Sequence, residues 1–168
     1  MSARDEPLFP ARDAPVRDAA PGLAGSIRRL LAEQPYGVLC TQGEGQPYGS
    51  LVAFAFAPDL THAVFATPVA TRKYRLLSEC DHVALVVDDR PRHADDMMAV
   101  AAVTATGRAR QVAPGPEFDR CARLLGDRHP QLGGFFRAES CALFRIDVFR
   151  FFHVTRFQEV GQWVPPSR

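Results

Sequence analysis

The sequence predicts a mainly β protein, a closed or half-closed barrel of mostly antiparallel strands with two or three short helices on its periphery. Three observations predict it. Six to eight separate stretches show apolar residues at a spacing of two or in short unbroken runs. Most of the links between them are short and contain Gly, Pro or Asp, as hairpins require. Helical spacing occurs only in brief stretches, which suits helices that cover a sheet rather than alternate with its strands.

Taken in order, residues 1–22 carry Pro7, Pro10, Pro15 and Pro21 among charges and alanines. Such a composition cannot build a core, so this stretch reads as an arm, disordered or laid over a single domain spanning 23–168. Leu23, Ile27, Leu30 and Leu31 then share one helical face, Arg28, Arg29 and Glu33 lie opposite, and the helix stops before Pro35. Residues 36–41 form a strand, 42–47 a turn with two glycines and a proline, and 48–56 a second strand, together a hairpin. In that second strand Ser50, Val52, Phe54 and Phe56 share one face, and Gly49, Leu51, Ala53 and Ala55 the other. The small face leaves room for a flat ring, or equally for a closely packed helix or sheet.

After a turn at 57–61, residues 62–67 form the third strand and 71–79 a helix with Leu76, Leu77 and Cys80 on its apolar side. Residues 82–87 are nearly all apolar, which predicts a central strand covered on both faces. A polar loop at 88–96 precedes a long strand from Met97 to Gly107, with Val112 as its far limit. Pro114, Gly115 and Pro116 break it. Residues 117–125 form the last helix, turning Phe118, Cys121, Leu124 and Leu125 inward, and 126–138 read as a surface excursion anchored by Phe135 and Phe136. Residues 141–148 alternate well. The aromatic phase then shifts, so 149–157 continue as a strand after a bend or bulge, and 158–164, with Trp163, form a terminal strand or arm.

Composition narrows the function. Hydrophobic residues make up 46% and charged residues 23%, ordinary for a soluble domain, and a net charge of +1 gives no reason to expect nucleic acid or a membrane surface. No apolar run is long enough to span a bilayer, and the charged N-terminus lacks the apolar region of a signal peptide. Cys40, Cys80, Cys121 and Cys141 are scattered singly, as in reduced thiols of the cytoplasm. His62, His82, His93 and His129 have no partner at ligand spacing, so no metal site is expected.

The chemistry gathers between residues 65 and 77. Thr67, Thr71, Arg72 and Lys73 put two hydroxyls, a guanidinium and an ammonium where a strand ends and a helix begins. A helix start exposes unpaired N–H groups, so the guest such a corner suits is an anion, a phosphate above all. The alternative is a solvated Arg-Lys pair on a helix surface.

Two stretches, "GQPYGSLVAF" and "VFATPVATRKYRLLSECDHVALVVD", together spanning residues 45–88, resemble the pyridoxamine 5′-phosphate oxidase-like family of FMN-binding split β-barrels. The order of elements agrees over 23–164. The resemblance implies a homodimer with FMN at the subunit interface. Thr67, Thr71, Arg72 and Lys73 would hold the FMN phosphate, and Ser50, Leu51 and Val52 would run along the isoalloxazine ring through backbone groups. Where the oxidases of that family carry an Arg and a substrate-binding Lys, this chain has Ser50 and Ala55, and their C-terminal Arg/Trp signature is not recognisable. Pyridoxine phosphate is therefore not the expected substrate.

The expectation is an FMN-dependent oxidoreductase acting on an unidentified small molecule, its catalytic residues unassigned. His153, Arg150, Arg156, Tyr74 and Arg75 are candidates to face the cleft. Deazaflavin could replace FMN at the same phosphate corner. Two other readings stand beside it: a haem-binding or haem-degrading barrel using His153, and a non-enzymatic flavin-binding dimer.

Overall fold

The computed structural model describes residues 21–166 together with Arg17–Asp18. Along the chain it forms β1 (Arg17–Asp18), α1 (Leu23–Glu33), β2 (Tyr36–Gly43), β3 (Gln46–Phe56), β4 (His62–Pro68), α2 (Arg72–Glu79), β5 (His82–Asp88), β6 (Ala102–Gln111), α3 (Pro116–Arg128), β7 (Cys141–Thr155) and β8 (Glu159–Trp163). Single 3₁₀ turns lie at Arg90–Arg92 and Pro130–Leu132. The expectation of an arm over residues 1–22 falls mostly outside the described residues. No described helix is long and apolar enough to cross a membrane.

The sheet runs β1-β8-β7-β4-β3-β2-β5-β6, and β6 returns to β7, so six strands close a barrel. Every pairing is antiparallel except β1 on β8. The barrel is split in two places. One edge of β7 carries β4 along residues 141–147 and then β8 along 151–155. On the other side β3 pairs with β4 only through Phe54, Ala55 and Phe56; residues 46–53 pair with β2 alone.

Alternation fills the interior. Leu39, Phe54, Phe65, Leu85, Val103, Ile146 and Phe151 form one core, closed by Ile27, Leu30 and Leu31 of α1. On the outer surface α3 lays Cys121, Ala122 and Leu125 over Ala55, Val64 and Leu143, a second core. The two are joined at the end of α3. There Arg128 donates to the carbonyls of Leu31 (2.7 Å), Ala32 (3.1 Å) and Gln34 (2.6 Å), and its guanidinium lies 5.2 Å from the Phe54 ring centroid. A cation thus caps the C-terminus of a helix distant in sequence. His129 follows, with Nε2–H donating 2.9 Å to the Phe54 carbonyl.

The expected order of strands and helices is observed, with four local differences. The strand before Gly107 begins at Ala102, because β5 ends opposite it at Asp88 and β7 offers Val154; earlier residues have no strand to pair with. Asp89 closes that loop by accepting from the Ala101 N–H at 2.8 Å, and Met97 and Met98 are exposed. In β5, Val83, Leu85 and Val87 are buried while Ala84 and Val86 are half-buried, so no described helix covers its outer face. The last helix runs through Gly126 to Arg128, since Phe136 packs over that glycine, and Phe136 is buried where Phe135 is exposed. The strand from residue 141 continues past the expected bulge but ends at Thr155 rather than Phe157.

The aromatic phase shift in that strand is a bulge. Thr106 pairs with Arg150 and Gly107 with Val148, leaving Phe149 as the extra residue. At this point the backbones nearly touch, and a Cβ on Gly107 would fall against the Asp147 carbonyl oxygen. Gly107→Ala is therefore expected to force β6 from β7 and cost about 3 kcal/mol, read as a lowered urea midpoint. An unchanged midpoint would show that the bulge tolerates a side chain.

Candidate cofactor site

The corner between β4 and α2 is built on two threonines. Thr71, extended at φ −87° and ψ 154°, is the N-cap, and its Oγ1 accepts from the Tyr74 N–H at 3.3 Å. The same hydroxyl donates to the Pro68 carbonyl at 2.8 Å. Its single proton is thereby used, so in the 2.9 Å contact with Thr67 the Thr67 hydroxyl is the donor. Thr67 is fully buried. It orients Thr71 from beneath and presents no free donor to a ligand.

Neighbouring side chains on α2 diverge. Lys73 lies three and four residues before the buried Leu76 and Leu77, which turns it toward the barrel and half-buries it. Burial pushes its ammonium pKa down. Among the described residues no carboxylate pairs with Lys73, and the first turn of α2 holds no acidic side chain. Arg72 points outward and lies 5.5 Å from the Tyr48 ring centroid, bridging α2 to the hairpin. Arg75 faces the same side, with Glu79 at 4.0 Å.

Across from the corner runs the stretch of β3 that pairs only with β2. Here Leu51 is 66% exposed on the outer face, and Val52 is buried in the core. The Ser50 Oγ is buried without a hydrogen-bond partner. The corner region thus combines an orphaned hydroxyl on β3, a half-buried lysine with no carboxylate on α2, and a β3 edge that pairs with β4 only at 54–56 among the described residues. These residues fit a flavin, whose phosphate would meet the cations and whose ring has hydrogen-bonding edges.

Open grooves flank the corner. One of about 370 Å³ is lined by Val69, Ala70, Thr71, Arg72 and Arg75. Another of about 650 Å³ lies between the β2–β3 hairpin and α2. Tyr48 carries no motif that marks it; its only signal in the sequence is that it shares a strand face with Ser50.

The other candidates lie apart. Tyr74 stands edge-on to Phe144 and its hydroxyl donates to Gln111 at 3.2 Å, so it packs the barrel end. Arg150 bonds Gln162, and Arg156 sits with Glu159 at the exposed β7–β8 turn. His153 shares the interior face with Val103 and Phe151. Burial lowers its pKa, partly opposed by the charge of Asp89. It lies eleven residues along β7 from Ala142, the partner of Thr67, on the order of 30 Å of strand. Ala55 is buried beneath α3, away from any cleft. Among the described residues no three His, Cys, Asp or Glu side chains gather as a metal site.

The fold is a split antiparallel barrel with a cationic corner at the start of α2. The chain matches the family model of pyridoxamine 5′-phosphate oxidase over residues 23–153, and it belongs to that family. No curated protein matches it. Among solved structures it is similar to a heme binding protein from Mycobacterium smegmatis, with a TM-score of 0.76 and 20% identity over 87% of this chain. The chain spans 59% of that protein. It is also similar to the heme storage protein HutZ from Vibrio cholerae, with a TM-score of 0.66 and 18% identity over 85% of this chain and 94% of that one. A FAD-binding protein from Mesorhizobium loti gives a TM-score of 0.62 and 16% identity over 77% of this chain and 92% of that one. Identities this low speak for the fold alone.

Lys73 carries a testable cost. Its folded pKa lies below the ordinary 10.5, so the burial penalty is present below the folded pKa and is relieved as pH rises toward 10.5. Lys73→Met is expected to stabilise the ligand-free protein at pH 7, by less than about 1 kcal/mol because the ammonium is partly solvated. The difference from wild type should shrink at pH 10 in paired urea titrations. A variant less stable than wild type at pH 7 would contradict this.

Proposed function

We propose that the protein holds a flavin by its phosphate at Thr71, Arg72 and Lys73, and serves as a flavin-dependent oxidoreductase for a small molecule. The observation that carries this is Lys73, a half-buried ammonium beside a capped helix start with no carboxylate to neutralise it. A dianionic phosphate supplies the missing charge, with Arg72 as the second cation. Thr67 acts through Thr71 as a positioning residue. Ser50, Leu51 and Val52 would lie along the ring, mainly through backbone groups, with the Ser50 hydroxyl gaining a partner. The flavin when bound supplies the redox chemistry, and the chain's task is to place it and tune its surroundings. FMN is the simplest occupant, and a deazaflavin would meet the same corner. Pyridoxine phosphate suits the site poorly, since Ser50 is uncharged and Ala55 is buried.

A homodimer completes this reading. Val38, Cys40, Leu51, Ala84 and Val86 share an outer face that no described helix covers. A second copy would bury it and wall the cleft beside β3. The four unpaired thiols support a reducing compartment, the cytoplasm.

The haem reading is favoured by one finding, that two structures of similar fold are described as a heme binding and a heme storage protein. Here it would rest on His153, at the far end of β7 from the phosphate corner.

Flavin fluorescence quenching tests the proposal. Arg72→Ala with Lys73→Ala should weaken FMN binding by at least about 100-fold, two charge-assisted contacts being lost, while leaving the fold intact. Equal FMN affinity in wild type and double variant would refute the phosphate assignment. Haem addition in parallel separates the second reading, since a Soret band that survives the double variant and is lost in His153→Ala would favour it. Bound flavin that NAD(P)H does not reduce would point to a binding protein rather than an enzyme. For the dimer, light scattering at micromolar concentration should give twice the mass of the chain, and a monomer would contradict the shared cleft.

A further inference from the structure

Arg72 and Arg75 border both grooves at the corner. The smaller lies at the α2 N-terminus with Thr71 and is large enough for one phosphate. FMN ends at that phosphate, which leaves the larger groove unused. Its volume of about 650 Å³ is in the range of a built small-molecule site.

The lining of the larger groove is specific. Tyr48 and Leu76 offer a flat ring and an apolar side chain, the surroundings a purine prefers. Arg72 and Arg75, three residues apart on one helical face, are spaced for two linked phosphates rather than one. Glu44 and Glu79 close the rim. Carboxylates there accept hydrogen bonds from ribose hydroxyls and repel a further phosphate.

We propose that the larger groove holds the adenosine half of flavin adenine dinucleotide, its second phosphate between Arg72 and Arg75. This rests on the flavin-phosphate site proposed above and extends it from a mononucleotide to a dinucleotide. Tyr48 then has two roles, holding Arg72 through its ring and bounding the adenine subsite.

The test compares FAD with FMN on the full-length chain by flavin fluorescence quenching. Wild type should bind FAD at least about tenfold more tightly than FMN, the worth of one added charge-assisted contact. Arg75→Ala removes that contact, and Gln46→Trp, at an exposed position of the groove wall, fills the space. Gln46→Trp should bring FAD down to the FMN level with FMN affinity unchanged, which also shows that this variant folds, while Arg75→Ala, whose side chain borders both grooves, should lower FAD affinity more than FMN affinity. FAD binding no tighter than FMN in wild type, or an FAD preference surviving in both variants, would overturn the dinucleotide proposal and leave the phosphate site standing. NADH binding to FMN-loaded protein and lost in these variants, with FAD no tighter than FMN, would also overturn it, in favour of a separately bound dinucleotide. Wild type that binds neither flavin would take the phosphate site down as well.

Discussion

The barrel closes where β6 and β7 come into backbone contact at Gly107 and Asp147, and the position of the corner depends on that closure. The bulge at Phe149 lets one strand serve two structures, because extra local twist turns β7 away from β4 and toward β8. Its first half holds β4 in place as far as Thr67 and Pro68, paired with Ala142 and Cys141. The start of α2 follows at once. The corner is therefore set by a strand ladder rather than by a free loop, as short contacts to an anion would require.

The two cores reinforce this frame from opposite sides. Those inside the barrel and beneath α3 share the walls of β3, β4 and β7, whose alternate residues face one core or the other. Arg128 ties α3 to the end of α1 while resting on Phe54, so both coverings of the barrel meet at one guanidinium. The corner itself works against stability. Lys73 is half-buried without a carboxylate, and the Ser50 hydroxyl is buried without a partner. Each forgoes solvation in the ligand-free chain, and a bound anion with polar ring edges would restore it.

Most of the fold was legible because its signals are local. The spacing of Leu23, Ile27, Leu30 and Leu31 marks α1, the glycines at 43 and 45 mark the hairpin, and the aromatic phase shift near Phe149 marks the bulge. The start of β6 was not legible, because Met97 to Ala101 look like strand and only the lengths of β5 and β7 exclude them. Likewise Gly126 resembles a helix end until Phe136 is placed over it. At the corner, residue types pointed to an anion, but not to how the labour divides. That Thr67 supports Thr71 depends on assigning the one Thr71 hydroxyl proton among three contacts, and that Arg72 and Lys73 diverge depends on which face of α2 is buried. Pairing of Tyr48 with Arg72 joins residues from separate elements and leaves no trace in either stretch.

Likeness of fold does not choose between flavin and haem, since related barrels at 16–20% identity are described by either ligand. Side chains have to choose, and here they separate along β7. At one end, beside Ala142, lie two cations, a capped helix start and an unpaired strand edge, all suited to an anion with a polar ring. At the other lies His153, whose burial favours the neutral imidazole, the form that ligates iron. It shares a face with Val103 and Phe151, with Gly161 opposite and Leu23, at the start of α1, packed over that glycine. Open grooves border Thr71, Arg72 and Arg75 at the corner. The charge at the corner is what supports the flavin reading proposed above.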